Sequence, residues 1–298
     1  MDAAISLCID GLTDIGVRRQ NNEDAWWVGQ LPGERRSMET GEAPLCLAAG
    51  VQAAPVLLLV SDGVGGANAG EVASQMAVNQ ISAELERRAA ALTSPESAQA
   101  AILAALHAAD QAIKAKATEP GFDGMGATLS LLCFAGPATA CWGQAGDSRI
   151  YVCRRGHLRQ ISHDHSPVGR LRQEGKITEK EARQHPQRNQ IDQSLGDPAN
   201  TFKPDTGAEK IQPGDVYLLC SDGLSDGLWD REIARVLAGV RHTADVRPAA
   251  QKLIADAKQA SGRDNITVIL ALVAGAAAET TAADRPGFWH QLLHRPPA

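Results

Sequence analysis

Apolar residues in this chain gather in short runs of two kinds. The first kind is unbroken. Val56-Leu57-Leu58-Leu59-Val60 runs without a polar break into Ser61-Asp62-Gly63-Val64-Gly65-Gly66. A continuous run that ends in small residues predicts a strand buried on both faces. Residues 216–220 repeat the device and run into Ser221-Asp222-Gly223, and residues 266–273 follow Gly262-Arg263-Asp264-Asn265. Residues 5–9, 25–28, 124–134, 139–144 and 148–153 are further strand candidates. The last three are consecutive and separated by turn residues, a spacing that favours an antiparallel sheet.

The second kind of run has helical spacing. Ala73, Ala77, Ile81 and Leu85 recur at every fourth position within residues 70–88, so one apolar face is expected. Ser94-Pro95-Glu96 opens another helix, with Ile102, Leu106, Ala109 and Ile113 on one side. Residues 230–238 and 244–260 are amphipathic as well, and Gly239 and Gly262 suit their ends. Residues 31–55, rich in Gly, Pro, Ala and Glu, read as a surface excursion without a motif. Residues 163–202 are polar and broken by Pro167, Gly175, Pro186, Gly196 and Pro198, which predicts a small flap on the main domain. Within it, Thr178-Glu179-Lys180-Glu181 is a capping box for a short helix that stops before Pro186. Residues 274–283 are nearly all Ala, Gly and Thr and read as a linker. Phe288-Trp289-His290-Gln291-Leu292-Leu293 is a short apolar tail, expected to pack loosely on the parent domain.

Length and charge narrow the classes. A chain of 298 residues can build one or two domains around a sizeable core. A net charge of -6 gives no reason to expect nucleic acid as a partner and fits poorly with an anionic membrane surface. The cysteines Cys8, Cys46, Cys133, Cys141, Cys153 and Cys220 show no zinc-type or redox-type spacing, so buried free thiols in a reducing compartment are expected. Met1-Asp2-Ala3-Ala4 shows no signal-peptide pattern, and no apolar run reaches the length of a membrane span. A cytoplasmic protein is the expectation.

A single Asp-Gly after a strand is most simply a turn. Asp62, Asp222 and Asp264, at the ends of three apolar strands, together suggest oxygen ligands for a hard divalent cation.

Taken in order, the motifs are Arg19…Asn22-Glu23-Asp24, Ser61-Asp62-Gly63-Val64-Gly65-Gly66, Gly126-Ala127-Thr128, Gly146-Asp147-Ser148-Arg149, Ser221-Asp222-Gly223-Leu224 and Gly262-Arg263-Asp264-Asn265. The chain resembles the bacterial metal-dependent PPM (PP2C-type) serine/threonine protein phosphatases over roughly residues 5–273. His163-Asp164-His165-Ser166 and His185-Pro186-Gln187-Arg188-Asn189 resemble that branch's flap segment. The resemblance implies an α+β fold, an α/β/β/α sandwich of two antiparallel sheets flanked by helices. Residues 1–273 would form the phosphatase domain with a flap at about 163–202, followed by the linker and tail at 274–298.

It also implies a reaction, the hydrolysis of phosphoserine and phosphothreonine by a hydroxide held between two metals. The cofactors would be Mn²⁺ or Mg²⁺, two per chain with room for a third. Asp62 would bridge the pair, Asp222 and Asp264 would hold the second metal, and the Gly63 carbonyl and Glu23, through water, would complete the first. Asp24 would act behind them. Asp147 resembles a ligand for a weaker third metal; its alternative is a turn aspartate bonded to Ser148 or Arg149. Arg19, five residues before Asp24, is the candidate phosphate clamp, with Arg18 the bland alternative. Thr128 is either near the metals or a strand filler. Many members carry a histidine after the two glycines where this chain has Ala67, so a metal-bound water or a flap residue, His163 or His165 among them, is expected to supply the proton. Expected partners are phosphorylated proteins and a cognate bacterial Ser/Thr kinase, with the chain a monomer. A catalytically weak phosphoprotein-binding regulator and a partner-switching phosphatase with one dedicated substrate are the alternatives.

Overall fold

The computed structural model describes residues 5–32, 45–47, 54–65, 69–136, 138–198 and 201–274. Ala67 and the tail at 275–298 lie outside the described residues. Strands are β1 (Ser6–Asp14), β2 (Asp24–Gln30), β3 (Leu45–Leu47), β4 (Val56–Val64), β5 (Gly126–Ala127), β6 (Leu129–Phe134), β7 (Thr139–Ala145), β8 (Arg149–Arg154), β9 (His157–Gln160), β10 (Asp205–Lys210), β11 (Val216–Cys220) and β12 (Ile266–Ala274). Helices are α1 (Ala69–Arg87), α2 (Pro95–Ala117), α3 (Pro167–Gln173), α4 (Glu179–Gln184), α5 (Asp222–Gly227), α6 (Asp230–Leu237) and α7 (Val246–Ala260).

The strands form two antiparallel sheets, ordered β3-β1-β12-β11-β8-β9 and β10-β7-β6-β4-β2, with β5 on β4. Side chains on the two inner faces make one apolar layer, including Trp26, Val56, Leu58, Val60, Phe134, Tyr217 and Ile269. The outer face of the second sheet packs on α1 and α2 through Leu57, Leu59, Ile81, Leu85, Ile102 and Leu106. That of the first packs on α5, α6 and α7 through Leu218, Leu224, Ile233, Leu253 and Leu270. The result is the α/β/β/α sandwich. It also explains the unbroken run in β4. Alternate residues face the opposite sheet and the helices, and both layers are dry, so neither face carries a polar position.

Several expectations need correction. Residues 148–153 do not join the two preceding strands in one sheet: β6 pairs β7, but β8 crosses to the other sheet, between β11 and β9. The crossing occurs at Gly146 (φ +95°), and Gln144 Nε2 ties the Gly146 and Ser148 carbonyls at 3.2 and 2.6 Å. Strands covered on both faces look alike in either sheet, so the pattern could not reveal the switch. Residues 222–227 form a helix rather than a turn, because Ser-Asp-Gly suits a helix start as well as a bend. Residues 45–47 add an edge strand to β1 within the stretch read as an excursion. The flap carries two helices. Thr178 and Glu181 make the expected box at α4, and Ser166 caps α3 by accepting from the Gly169 amide at 2.9 Å. All six thiols are free, and five are buried, but Cys46 is exposed. No helix among the described residues is long and apolar enough to cross a membrane.

Candidate metal centre

One end of the sandwich collects acidic side chains from both sheets. Asp24 opens β2 and is the register partner of Asp62 near the end of β4. Asp222 is the first residue of α5, Asp264 lies in the loop before β12, and Asp147 sits at the crossing between β7 and β8. The five share one electrostatic field. Burial raises the Asp62 carboxyl well above the usual range, and Asp24, Asp222, Asp147 and Asp264 add to it in that order. Asp222 is raised by burial, then by Asp147, Asp226, Asp264 and Asp24. Burial lifts Asp24 to about 6, against hydrogen bonds from Thr267 and Ser221. Asp147 is lifted to about 7 by burial and then Asp164.

Two of these carboxylates hold an oxygen that is buried without a hydrogen-bond partner, Asp24 Oδ1 and Asp222 Oδ1. A buried acceptor left unpaired costs about 1–3 kcal/mol, and more when charged, so a cation would relieve both. The donors are all hard oxygens, which suit Mg²⁺ or Mn²⁺ rather than zinc. Even so, among the described residues no three His, Cys, Asp or Glu side chains are grouped so as to hold a metal ion. What the five present together is a shared electrostatic field of raised carboxyls. Asp264 is directed elsewhere: its Oδ2 accepts from Arg19 Nη2 at 2.7 Å and its Oδ1 from the Asn265 amide at 2.9 Å.

The other candidates fall around this field. Arg19 is exposed and also lies 3.6 Å from Glu23, whereas Arg18 faces solvent. Asp24 Oδ2 accepts from Ser221 at 2.7 Å and Thr267 at 2.6 Å, so it fastens the end of one sheet to the other. Gly63 leaves no room for a side chain: an added Cβ would stand 2.1 Å from the Gly70 carbonyl and 2.8 Å from that of Glu23. Its amide donates to the Glu23 carbonyl at 3.1 Å, tying two candidate metal-site segments together.

Thr128 does more than fill a strand. Its hydroxyl accepts the Asp62 amide at 2.9 Å and meets Ser148 Oγ at 2.7 Å, while its own amide donates to the Asp62 carbonyl at 2.8 Å. Neither the Ser148 hydroxyl nor the Arg149 guanidinium is hydrogen-bonded to Asp147 among the described residues. Ser148 Oγ is engaged by Thr128, and Arg149 bonds Asp164 and Tyr151. Asp147 instead faces a cavity of about 170 Å³ shared with Asp222, Asp226 and the flap's Arg183 and Arg188. His163 and His165 both approach Asp205, at 3.6 and 3.2 Å, and His165 Nδ1 accepts the Gly146 amide at 3.4 Å. That leaves Nε2 to carry the ring hydrogen toward Asp205.

Sequence reasoning missed two residues that build the site. Asn265 accepts from the Glu23 amide at 2.8 Å and donates to the carbonyls of Ile15 and Asn21 at 3.0 Å, pinning the Arg19 loop to the Asp264 loop. Its place inside the Gly-Arg-Asp-Asn motif was the available signal. Arg183 of α4 donates to the carbonyls of Ser225 at 2.6 Å, Asp226 at 3.1 Å and Leu228, and stacks on Trp229 at 4.4 Å. The flap thereby closes the C-terminal end of the helix that Asp222 begins. Nothing in the sequence marked this arginine.

Comparison with known proteins follows the same line. The profile described as "Protein phosphatase 2C" matches residues 46–270. The chain is 39% identical to the serine/threonine protein phosphatase PstP of Mycobacterium tuberculosis, over 87% of this chain and 43% of that protein. It therefore spans less than half of that relative's length. It is 32% identical to a putative protein phosphatase 2C-type of Streptococcus pyogenes, over 87% of this chain and 94% of that one. Among solved structures, the S. agalactiae serine/threonine phosphatase superposes with a TM-score of 0.73 at 32% identity, covering 90% of this chain and 99% of that one. The catalytic domain of PstP in complex with two manganese ions gives 0.69 at 33% identity, covering 91% and 99%.

Proposed function

This chain belongs to the protein phosphatase 2C family, and on that premise we propose that it removes phosphate from phosphoserine and phosphothreonine in proteins with two divalent cations, Mn²⁺ or Mg²⁺. The observation that carries the proposal is the set of carboxylates that raise one another while Asp24 and Asp222 each keep a buried oxygen without a partner. Asp62, Asp222 and Asp264, with the Gly63 carbonyl and Glu23, would hold the two ions, and Asp147 a third. Bound there, the ions would neutralise phosphoryl charge and bring the pKa of water near neutrality.

The chain's own groups supply the rest. Arg19 leaves Asp264 for the phosphate, where its planar guanidinium can donate two parallel hydrogen bonds. Asp264 is then free to act as a ligand, so substrate and cation each break the same ion pair and each favours the other's binding. Thr128 and Asn265 keep Asp62 and the Arg19 loop in register while this exchange takes place. The serine alkoxide needs a proton, a transfer that typically contributes 10²–10⁴-fold. With Ala67 after the glycines, that proton comes from water or from the flap.

The substrates are phosphoproteins made by a cognate bacterial Ser/Thr kinase, and the chain acts as a monomer in the cytoplasm. A catalytically weak phosphoprotein-binding regulator is the second reading. It is favoured by one observation, that Asp264, a candidate ligand, is already engaged by Arg19. The test uses purified protein and a phosphoserine peptide. Hydrolysis with Mn²⁺ that is lost with EDTA or in Asp62→Asn supports the enzyme, and peptide binding without turnover supports the regulator.

A further inference from the structure

We propose that Cys8 and Cys46 form a reversible disulfide when the protein meets a hydroperoxide, a modification site at the outer edge of the first sheet. The two residues are register partners across the antiparallel strands β1 and β3. Directly opposed residues on such strands have Cα atoms about 4.5–5.5 Å apart, with side chains on the same face. A disulfide takes Cα separations of about 4.4–6.8 Å. The backbone is therefore already spaced for the bond, and both thiols are free. Among the described residues β3 is three residues long and pairs with β1 alone, at the edge of the sheet.

The two thiols differ in access, which orders the chemistry. Cys46 is exposed on its edge strand. Cys8 is 1% exposed, and its Sγ donates weakly to the Thr243 carbonyl at 3.8 Å. Burial first, and then contact with Cys46, raises the Cys8 thiol, which keeps it protonated and slow with oxidants. Cys46 is thus the entry point and Cys8 the resolving partner. The Cys46 thiolate attacks the hydroperoxide: a sulfur–oxygen bond forms, the O–O bond breaks, and an alcohol or water leaves, giving a sulfenic acid. The Cys8 sulfur then bonds to the Cys46 sulfur, the S–O bond breaks, and water leaves with the Cys8 proton. Two thiols are oxidised by two electrons, and the peroxide is reduced by two.

The molecule carries its own control. Cys133 and Cys141 are also register partners, across β6 and β7, but both are fully buried beneath α1 and α2. The same pairing without access should stay reduced.

The test treats the folded 298-residue chain with a small excess of hydrogen peroxide, then alkylates it in denaturant and maps peptides by mass spectrometry. A Cys8–Cys46 crosslink that dithiothreitol reverses, with Cys133 and Cys141 fully alkylated, is the expected result. In Cys8→Ser, Cys46 should stop at a sulfenic acid that dimedone traps. In Cys46→Ser, a change at an exposed position, Cys8 should be recovered alkylated. Over-oxidised Cys46 without the crosslink, Cys46-linked dimers in its place, or equal crosslinking of Cys133 to Cys141 would overturn the proposal.

Discussion

Arg19 donates from Nη2 to Asp264 Oδ2 across 2.7 Å, joining residues 245 positions apart in the chain. The bond holds the candidate phosphate clamp on a candidate metal ligand. A site that must release one partner to gain two ligands is poised by its own ion pair. Arg19→Ala and Arg19→Lys should both lower kcat/KM on a phosphoserine peptide by about 10–100-fold, the loss of charge-assisted hydrogen bonds that a lysine cannot make in parallel. Steady-state kinetics with saturating Mn²⁺ check this, and a lysine variant at wild-type efficiency would count against the clamp.

The raised carboxyls of Asp24, about 6, and Asp147, about 7, link stability to pH. Both lie above the usual aspartate value of about 3.9, so the folded state binds more protons than the unfolded state. Their contribution is fully present at low pH and is lost as pH rises from about 4 through 7. A cation replaces those protons, so added Mn²⁺ should raise Tm more at pH 8 than at pH 5. Thermal melts in EDTA and in Mn²⁺ across that range give the answer, and an equal Mn²⁺ shift at every pH would contradict the linkage.

Thr128→Val keeps the shape but removes the hydroxyl that accepts the Asp62 amide and meets Ser148. Buried polar groups left unpaired predict a loss of about 1–3 kcal/mol, and Thr128→Ser should retain most of the stability. Urea unfolding of the three proteins measures the difference.

Arg183→Gln should loosen α5 from the flap by removing a charge shared among three carbonyls. Amide exchange in 179–184 and 222–228 should rise while α1 stays protected. Mn²⁺ affinity should fall about 10-fold, the low end for residues that orient metal ligands. If Asp222→Asn is already present, Arg183→Gln should change the affinity no further.

The layers of the fold were legible in the sequence because each strand and helix declares which faces are dry. Val56–Val60, buried on both sides, could be read directly. Which sheet a strand joins could not be read, since β8 looks like β7 until Gly146 turns the chain across. The acidic residues were legible as a set, because Asp62, Asp222 and Asp264 each end or precede an apolar run. Their supports were not. Asn265 and Arg183 act through backbone groups far away in sequence, and a backbone carbonyl has no letter of its own.

The central claim is that Asp62 and its neighbours bind divalent cations, and crystals grown with excess Mn²⁺ test it most directly. Anomalous diffraction at the manganese edge should show two peaks in contact with Asp62, one of them also touching Asp222 and Asp264, with Arg19 moved away from Asp264. A map with no anomalous peak within coordination distance of Asp62, and with Arg19 still bonded to Asp264, would contradict it.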